Sequence, residues 1–115
     1  MLLLSVVGCA IFREPRFSKA ALDTGNDFCA VNVYAGGVVE LSDISFIGNP
    51  TFNPTVRVVD QALLYLLYFG TGTVTGKRFV VESGGLINSF GYGLNAIPGT
   101  VAGTADNANG AYYVL

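Results

Sequence analysis

An internal repeat limits the possible folds of this chain more than any other feature of its sequence. Residues 31–41, 56–66 and 79–89 align by side-chain chemistry, at offsets of 25 and then 23 residues. Each segment has aliphatic residues at the same two positions and a small residue between them. These aligned positions are Val33, Val58 and Val81, then Gly37, Ala62 and Gly85, then Val39, Leu64 and Ile87. A repeat of this length, made of short strands, indicates a solenoid.

Each repeat consists of a strand, a corner at the small residue, a second strand and a loop. One such unit cannot bury its apolar face alone, but stacked units share a continuous core. We therefore expect an all-β chain that forms a parallel β-helix of about four short coils, with equivalent residues about 4.8 Å apart. The alternative is a β-sandwich of antiparallel hairpins. Hairpins favour Asn-Gly or Asp-Gly turns, and neither dipeptide lies between the paired strands.

The coils are expected over residues 1–94, with a polar excursion at 14–27 and a loop at 48–55. Two prolines keep that loop out of a central strand. Residues 95–115 are expected to form a C-terminal loop, rich in Gly, Ala, Asn and Thr, that ends in a closing strand at 111–115. The chain is thus a single domain with a short C-terminal extension.

The composition excludes several classes of function. The chain has no histidine, which removes Ser-His-Asp and Cys-His catalysis and most transition-metal sites. Lysine and arginine form no cluster, so we expect no nucleic-acid partner. The longest inner apolar run, Ala62 to Phe69, has eight residues, and a spanning helix needs about twenty. We therefore expect no membrane span, and we also expect no cofactor. We expect no metal either, because the oxygen-rich run Asp106 to Gly110 lacks the acid that completes a calcium loop.

The first residues are apolar and contain two features of note. Val6-Val7-Gly8-Cys9 imitates a lipoprotein cleavage box, although no basic residue precedes it. This leaves a small secreted or lipid-anchored bacterial β-solenoid as one alternative function. Cys9 and Cys29 are each followed by alanine and a β-branched residue. We therefore expect them at equivalent positions of two repeats, as stacked buried thiols or as a disulfide.

Two segments carry a resemblance to a known family. Residues 36–48, Gly-Gly-Val-Val-Glu-Leu-Ser-Asp-Ile-Ser-Phe-Ile-Gly, resemble a coil of a pectate-lyase-like right-handed β-helix. Residues 97–104, Ile-Pro-Gly-Thr-Val-Ala-Gly-Thr, followed by Gly-Ala-Tyr-Tyr at 110–113, resemble the closing segment of bacteriophage tailspike and tail-fibre proteins of that fold. Family members usually run to several hundred residues, and no catalytic motif of the pectate lyases can be matched here.

The resemblance implies a structural and adhesive component of a phage tail appendage, a tailspike or tail fibre, that contacts a host-surface polysaccharide. It also implies a homo-oligomer, most simply a trimer, located in the virion and made in the host cytoplasm. Met1 to Phe12 is apolar and has no polar cap before it. An uncapped solenoid end exposes apolar surface and unpaired backbone, so an upstream part of the same tail protein, or another chain, is expected to cover it.

Strand alternation points Glu40, Tyr65 and Asn88 outward as a ladder. An aromatic ring between polar groups suits sugar recognition, because the ring stacks on C–H surfaces and the polar groups bind hydroxyls. Ordinary side-chain stacking along a solenoid is the structural alternative. Arg57 is a further ligand candidate, and together with Lys77 and Arg78 it could contact an acidic polysaccharide.

Paired carboxylates are the only catalytic candidates. They are Asp60 with Glu82 on neighbouring repeats, and Glu40 with Asp43 within one repeat. Inverting glycosidases use acid pairs about 6.5–9.5 Å apart, so a catalytic chain would be a polysaccharide depolymerase, a glycoside hydrolase or lyase. Solvation of the surface explains the same acids without catalysis.

The run from residue 62 to residue 69 also predicts an oligomer interface. If Leu64 and Leu66 fill the core, then Leu63, Tyr65 and Leu67 point outward. A contiguous outward apolar stripe marks an interface, and a symmetric oligomer would bury several such stripes together.

Overall fold

The computed structural model describes residues 4–6, 9–13, 16–17, 29–67, 69–93, 95–105 and 112–114. Side chains are described within residues 29–67, 72–93 and 95–105. The described chain is all-β and contains no helix. Its strands are β1 Leu4–Val6, β2 Cys9–Arg13, β3 Arg16–Phe17, β4 Val31–Val33, β5 Val38–Ser42, β6 Ile44–Phe46, β7 Val56–Val58, β8 Leu63–Leu66, β9 Phe69–Thr71, β10 Phe79–Val81, β11 Leu86–Asn88, β12 Thr104–Ala105 and β13 Tyr112–Val114.

The strands form three open parallel sheets. The first sheet has the order β1-β4-β7-β10-β12, the second has β13-β11-β8-β5-β2, and the third has β3-β6-β9. Each strand pairs with the equivalent strand of a neighbouring repeat. From β1 to β9 the chain visits the first, second and third sheets in turn, and β10 to β13 alternate between the first and second sheets. The expectation of all-β structure with stacked parallel strands is confirmed. The hairpin alternative required antiparallel pairs, whereas every strand pair of the described chain is parallel.

The register of the strands matches the sequence repeat. Val33, Val58 and Val81 are partners in the first sheet, and Val39, Leu64 and Ile87 are partners in the second. All six side chains are fully buried. Burial of each of these aliphatic side chains stabilises the folded state by roughly 1.5–3 kcal/mol. One cluster joins these columns to Ile44 and Phe46 of the third sheet, so the core lies among all three sheets.

Turns of one type join the first sheet to the second. Ala35-Gly36, Asp60-Gln61 and Ser83-Gly84 all have positive φ values between 50° and 78°. In each turn the next residue, which is the small residue of the repeat, donates its backbone N–H to the carbonyl three positions earlier. Successive turns are also bonded to each other, since Gly36 N donates to Asp60 O at 2.9 Å and Gln61 N donates to Ser83 O at 2.9 Å.

At the third of these turns, Gly85 allows a close approach between repeats, whereas the equivalent position of the preceding turn accommodates the Cβ of Ala62. A Cβ on Gly85 would lie 2.3 Å from the carbonyl oxygen of Val58 in the preceding repeat. No real Cβ tolerates such a contact with backbone, so a larger residue would push the two repeats apart. The prediction that a Cβ at Gly85 would clash is thus confirmed. The left-handed bend itself is made by the two preceding residues, Ser83 and Gly84.

The expectation for the cysteines needs correction, and two other expectations fall mostly or wholly outside the described residues. Cys9 is a register partner of Val38 in the second sheet, whereas buried Cys29 precedes β4 in the first sheet, so the two cysteines are not equivalent. Most of the polar excursion at 14–27 and the run 106–110 lie outside the described residues. Within 48–55, Thr51 forms an isolated β-bridge with Thr75 of the neighbouring repeat, and the backbone N–H groups of Phe52 and Thr55 donate to Thr75 O and Lys77 O.

The close approach at Gly85 gives a testable consequence. We expect Gly85→Ala to lower the free energy of unfolding by about 3 kcal/mol, because the new Cβ overlaps backbone that cannot move independently. Gly48→Ala is the matched control. Gly48 has φ +77° and no atom within 4 Å of an added Cβ, so it should cost only about 1 kcal/mol of left-handed strain. Urea unfolding of both variants measures the difference, and equal losses would contradict the close approach.

Candidate functional site

The predicted outward ladder is present on the second sheet. Glu40, Tyr65 and Asn88 are register partners on β5, β8 and β11. All three are half-buried, and their sequence neighbours Val39, Leu64 and Ile87 fill the core. The three polar or aromatic side chains therefore project from the same outer face of the sheet, one repeat apart.

Two further aromatic residues follow β11 and were not predicted as site residues. Phe90 and Tyr92 are 52% and 55% exposed. The Phe90 ring lies against the Tyr65 ring, with centroids 5.8 Å apart and planes tilted by 31°. We call Glu40, Tyr65, Asn88, Phe90 and Tyr92 the ladder site. The sequence does contain a signal for these two residues, because each aromatic in the run Phe90-Gly91-Tyr92-Gly93 is followed by a glycine. The glycines predicted a corner there but not a binding site.

A tight turn holds Phe90 and Tyr92 outward. Tyr92 N donates to Ser89 O at 3.1 Å, and Phe90 and Gly91 both have positive φ, at 53° and 90°. The side chain of Asn88 supports the turn, since its Oδ1 accepts the Phe90 N–H at 3.0 Å. Ser89 is fully buried, and its Oγ accepts the Gly93 N–H at 3.3 Å. These bonds fix the backbone, so the aromatic rings are exposed on an ordered turn.

The ladder site combines groups that suit a hydroxyl-rich ligand. The rings of Tyr65, Phe90 and Tyr92 offer apolar faces for C–H surfaces. The Glu40 carboxylate can accept hydrogen bonds, and the Asn88 amide nitrogen can donate them, because only its oxygen is used by the turn. The adjoining rings of Tyr65 and Phe90 form contiguous apolar surface, which is typical of a binding site.

Arg57, a predicted ligand residue, lies on a different sheet from the ladder site. It is on β7 of the first sheet, in register with Asn32 and Val80. Its Nη2 donates to Glu82 Oε1 at 3.2 Å, and the two side chains are 41% and 39% exposed. An ion pair this exposed contributes little to stability. The structure therefore separates Arg57 from Glu40, Tyr65 and Asn88.

The four candidate carboxylates are distributed over several elements. Asp60 and Asp43 are exposed turn residues with φ values of 55° and 53°. Glu82 is paired with Arg57, and Glu40 belongs to the ladder site. Among the described side chains, no group of three acidic or cysteine residues is placed to hold a metal ion. The geometry assigns no acid and base roles to these carboxylates.

The predicted interface residues lie on the outer face of the second sheet. Leu63 and Leu67 are half-buried, like Tyr65 between them. Leu63 is a register partner of Val38 and Leu86, so an aliphatic column runs beside the polar ladder. The most exposed large apolar residues in the described part of the chain are elsewhere: Ile47, Phe90, Tyr92 and Val101.

Comparisons with protein-family models, curated proteins and solved structures gave no match. The described residues contain no helix that combines the length and apolarity needed to cross a membrane.

Proposed function

We propose that the chain is part of a right-handed parallel β-helix in a bacteriophage tail appendage, where its ladder site contacts a host-surface glycan. The observation that carries the glycan proposal is the alignment of Glu40, Tyr65 and Asn88, with the exposed Phe90 ring lying against Tyr65. The role of the protein is adhesive and structural.

The order in which the chain visits its sheets supports the β-helix. Successive strands of each sheet are one repeat apart, and from β1 to β9 the first, second and third sheets follow one another along the chain. A chain that winds around one axis produces this order. Crossover connections between parallel strands of one sheet are right-handed in about 98% of cases, which supports the right-handed form.

The chemistry of the ladder site supports a saccharide ligand. Aromatic rings bury the C–H faces of sugars, and the surrounding carboxylate and amide satisfy hydroxyl groups. The site is also extended, because its members come from three consecutive repeats. An extended row of contacts suits a polymer better than a small molecule enclosed in a cavity.

The tail-appendage part of the proposal is supported by the resemblance of residues 36–48 and 97–104 to tailspike and tail-fibre segments. In the structure, residues 36–48 include β5 and β6 with the turns that flank them. Residues 97–104 begin at buried Ile97 and end at the start of β12. Both segments thus contribute to the stacked architecture that such appendages use.

Binding to bacterial polysaccharides tests the glycan proposal. We expect a purified capsular or O-antigen polysaccharide from a panel to bind the protein in biolayer interferometry. Phe90→Ala and Tyr92→Ala should each weaken that binding about fivefold to tenfold, because each removes roughly 1–1.5 kcal/mol of aromatic contact. Ile47→Ala is the matched control, since Ile47 is 53% exposed but lies outside the ladder site.

A panel in which no polysaccharide binds, or in which Ile47→Ala weakens binding as much as Phe90→Ala, would contradict the ladder site. Incubation of the protein with the same polysaccharides in solution tests for catalysis. Release of reducing ends from a bound polysaccharide would favour the depolymerase alternative over simple adhesion, and replacement of Glu82 or Asp60 by the corresponding amide would then identify the acid involved.

We also propose a trimer interface at Leu63, Tyr65 and Leu67, which competes with the ladder site for Tyr65 because both lie on the outer face of the second sheet. Substitution of the two leucines tests this interface. Leu63→Asp and Leu67→Asp place charges in the proposed interface, where burial without a partner is unfavourable. We expect both variants to shift the protein from a trimer to a monomer or to aggregate, as measured by light scattering coupled to gel filtration. Ile47→Asp adds the same charge at an exposed aliphatic residue outside the second sheet, and should leave the trimer intact. A folded monomer in the unsubstituted protein would refute the interface.

A further inference from the structure

We propose that a groove between residues 72–78 and 95–100 is a subsite for an anionic sugar, bound through Arg78. This inference rests on the proposed glycan binding and deepens it, because it specifies a polysaccharide that carries carboxylate or phosphate groups. The groove is formed by loop segments of two consecutive repeats, and none of its lining residues belongs to the ladder site.

The groove has the size of a small ligand site. Its volume is about 340 Å³, within the range of roughly 300–1,000 Å³ found for ligand pockets. Its side chains include Thr73, Arg78, Asn95 and Thr100. Thr73, Asn95 and Thr100 are exposed, so a sugar at the end or within a chain could enter from solvent.

Arg78 is held in place by the neighbouring repeat. Its Nη1 donates to the carbonyl oxygen of Ile97 at 2.8 Å, and Ile97 is only 1% exposed. Gly99 makes room for this arrangement, because a Cβ there would lie 2.9 Å from Arg78 Cγ and 2.7 Å from Gly76 O. A guanidinium has five N–H donors in a fixed plane, so one anchoring bond leaves the others for an oxyanion.

The hydroxyl groups of the groove complete a site for a sugar. Thr100 Oγ1 accepts the Gly76 N–H at 3.0 Å, so its own O–H is available to donate. The Thr73 hydroxyl donates to Asn49 Oδ1 and keeps lone pairs for a ligand hydroxyl. The exposed Asn95 amide can both donate and accept. The groove can therefore bind the hydroxyls of a ring whose charged group pairs with Arg78.

The charge distribution favours an anion in this groove. Four acidic side chains are described, namely Glu40, Asp43, Asp60 and Glu82, and none lines the groove. The ion pair between Arg57 and Glu82 is the only one among the described side chains, so Arg78 and its neighbour Lys77 have no acidic partner there. Arginine binds carboxylate and phosphate groups bidentately, which makes a uronic acid or a sugar phosphate the fitting ligand.

Titration of the ¹⁵N-labelled full chain tests this subsite. The probes are sodium glucuronate, glucose 6-phosphate, neutral glucose and inorganic phosphate. We expect glucuronate or glucose 6-phosphate to shift the amide signals of Gly76, Gly99 and Thr100 saturably, and the sugar that binds more tightly identifies the anionic group. Glucose should bind at least tenfold more weakly, because it lacks the charge-assisted hydrogen bond to Arg78.

Variants separate the groove from general charge effects. Arg78→Gln should weaken the anionic sugar at least about tenfold, and Arg78→Lys should recover only part of the loss because lysine cannot bind bidentately. Arg57→Gln removes the same charge from the ion pair on the first sheet and should leave the titration unchanged. The amide spectrum of each variant reports whether it is folded.

Three outcomes would overturn the inference: no saturable shift at Gly76, Gly99 and Thr100, an unchanged affinity in Arg78→Gln, or inorganic phosphate binding as tightly as both anionic sugars. These readouts are independent of the ladder site. Groove shifts with no polysaccharide bound at Phe90 and Tyr92 would leave the subsite standing and reject the ladder proposal. Polysaccharide binding that depends on Phe90 but produces no groove shifts would do the reverse.

Discussion

The stacking of equivalent aliphatic side chains, one repeat above the next, is the interaction on which the rest of this structure depends. Val58 lies between Val33 and Val81, and none of the three is accessible to solvent. Side chains of a strand alternate between its two faces. Packing of the inward side chains in the core therefore also determines which side chains line up on the outer face. The ladder of Glu40, Tyr65 and Asn88 is thus a consequence of the core, and a shift of one residue in register would bury it.

The sequence repeat predicted this part of the structure well, because aliphatic residues that recur at offsets of 25 and 23 residues share one core when the repeats stack. It did not predict features set by turns. Phe90 and Tyr92 follow the last aligned strand, and their exposure depends on the Ser89–Tyr92 turn and the Asn88 side chain. The separation of Arg57 from Tyr65 also follows from the turn at Asp60-Gln61, which moves the chain from one sheet to the next.

Both proposed binding surfaces combine a rigid stack with residues from its turns. In the ladder site, β5, β8 and β11 place three side chains in a row, and the following turn adds two aromatic rings. In the groove, Gly99 allows the loop at 95–100 to approach Arg78 and Gly76 closely. The strands therefore set the spacing of possible contacts, and the turns determine their chemistry. A polymer that carries both apolar sugar faces and acidic groups would place the sugar faces on the ladder site and the acidic groups in the groove.

Nuclear Overhauser contacts between valine methyl groups test whether aliphatic side chains of successive repeats stack on one another. In protein with labelled valine methyls, we expect contacts from Val58 to both Val33 and Val81, because strands of one sheet lie about 4.8 Å apart. We also expect the interstrand backbone contacts of parallel pairs among residues 31–33, 56–58 and 79–81. Missing contacts between Val58 and its two partners, or close Cα-proton pairs typical of antiparallel strands in those segments, would contradict this stacking.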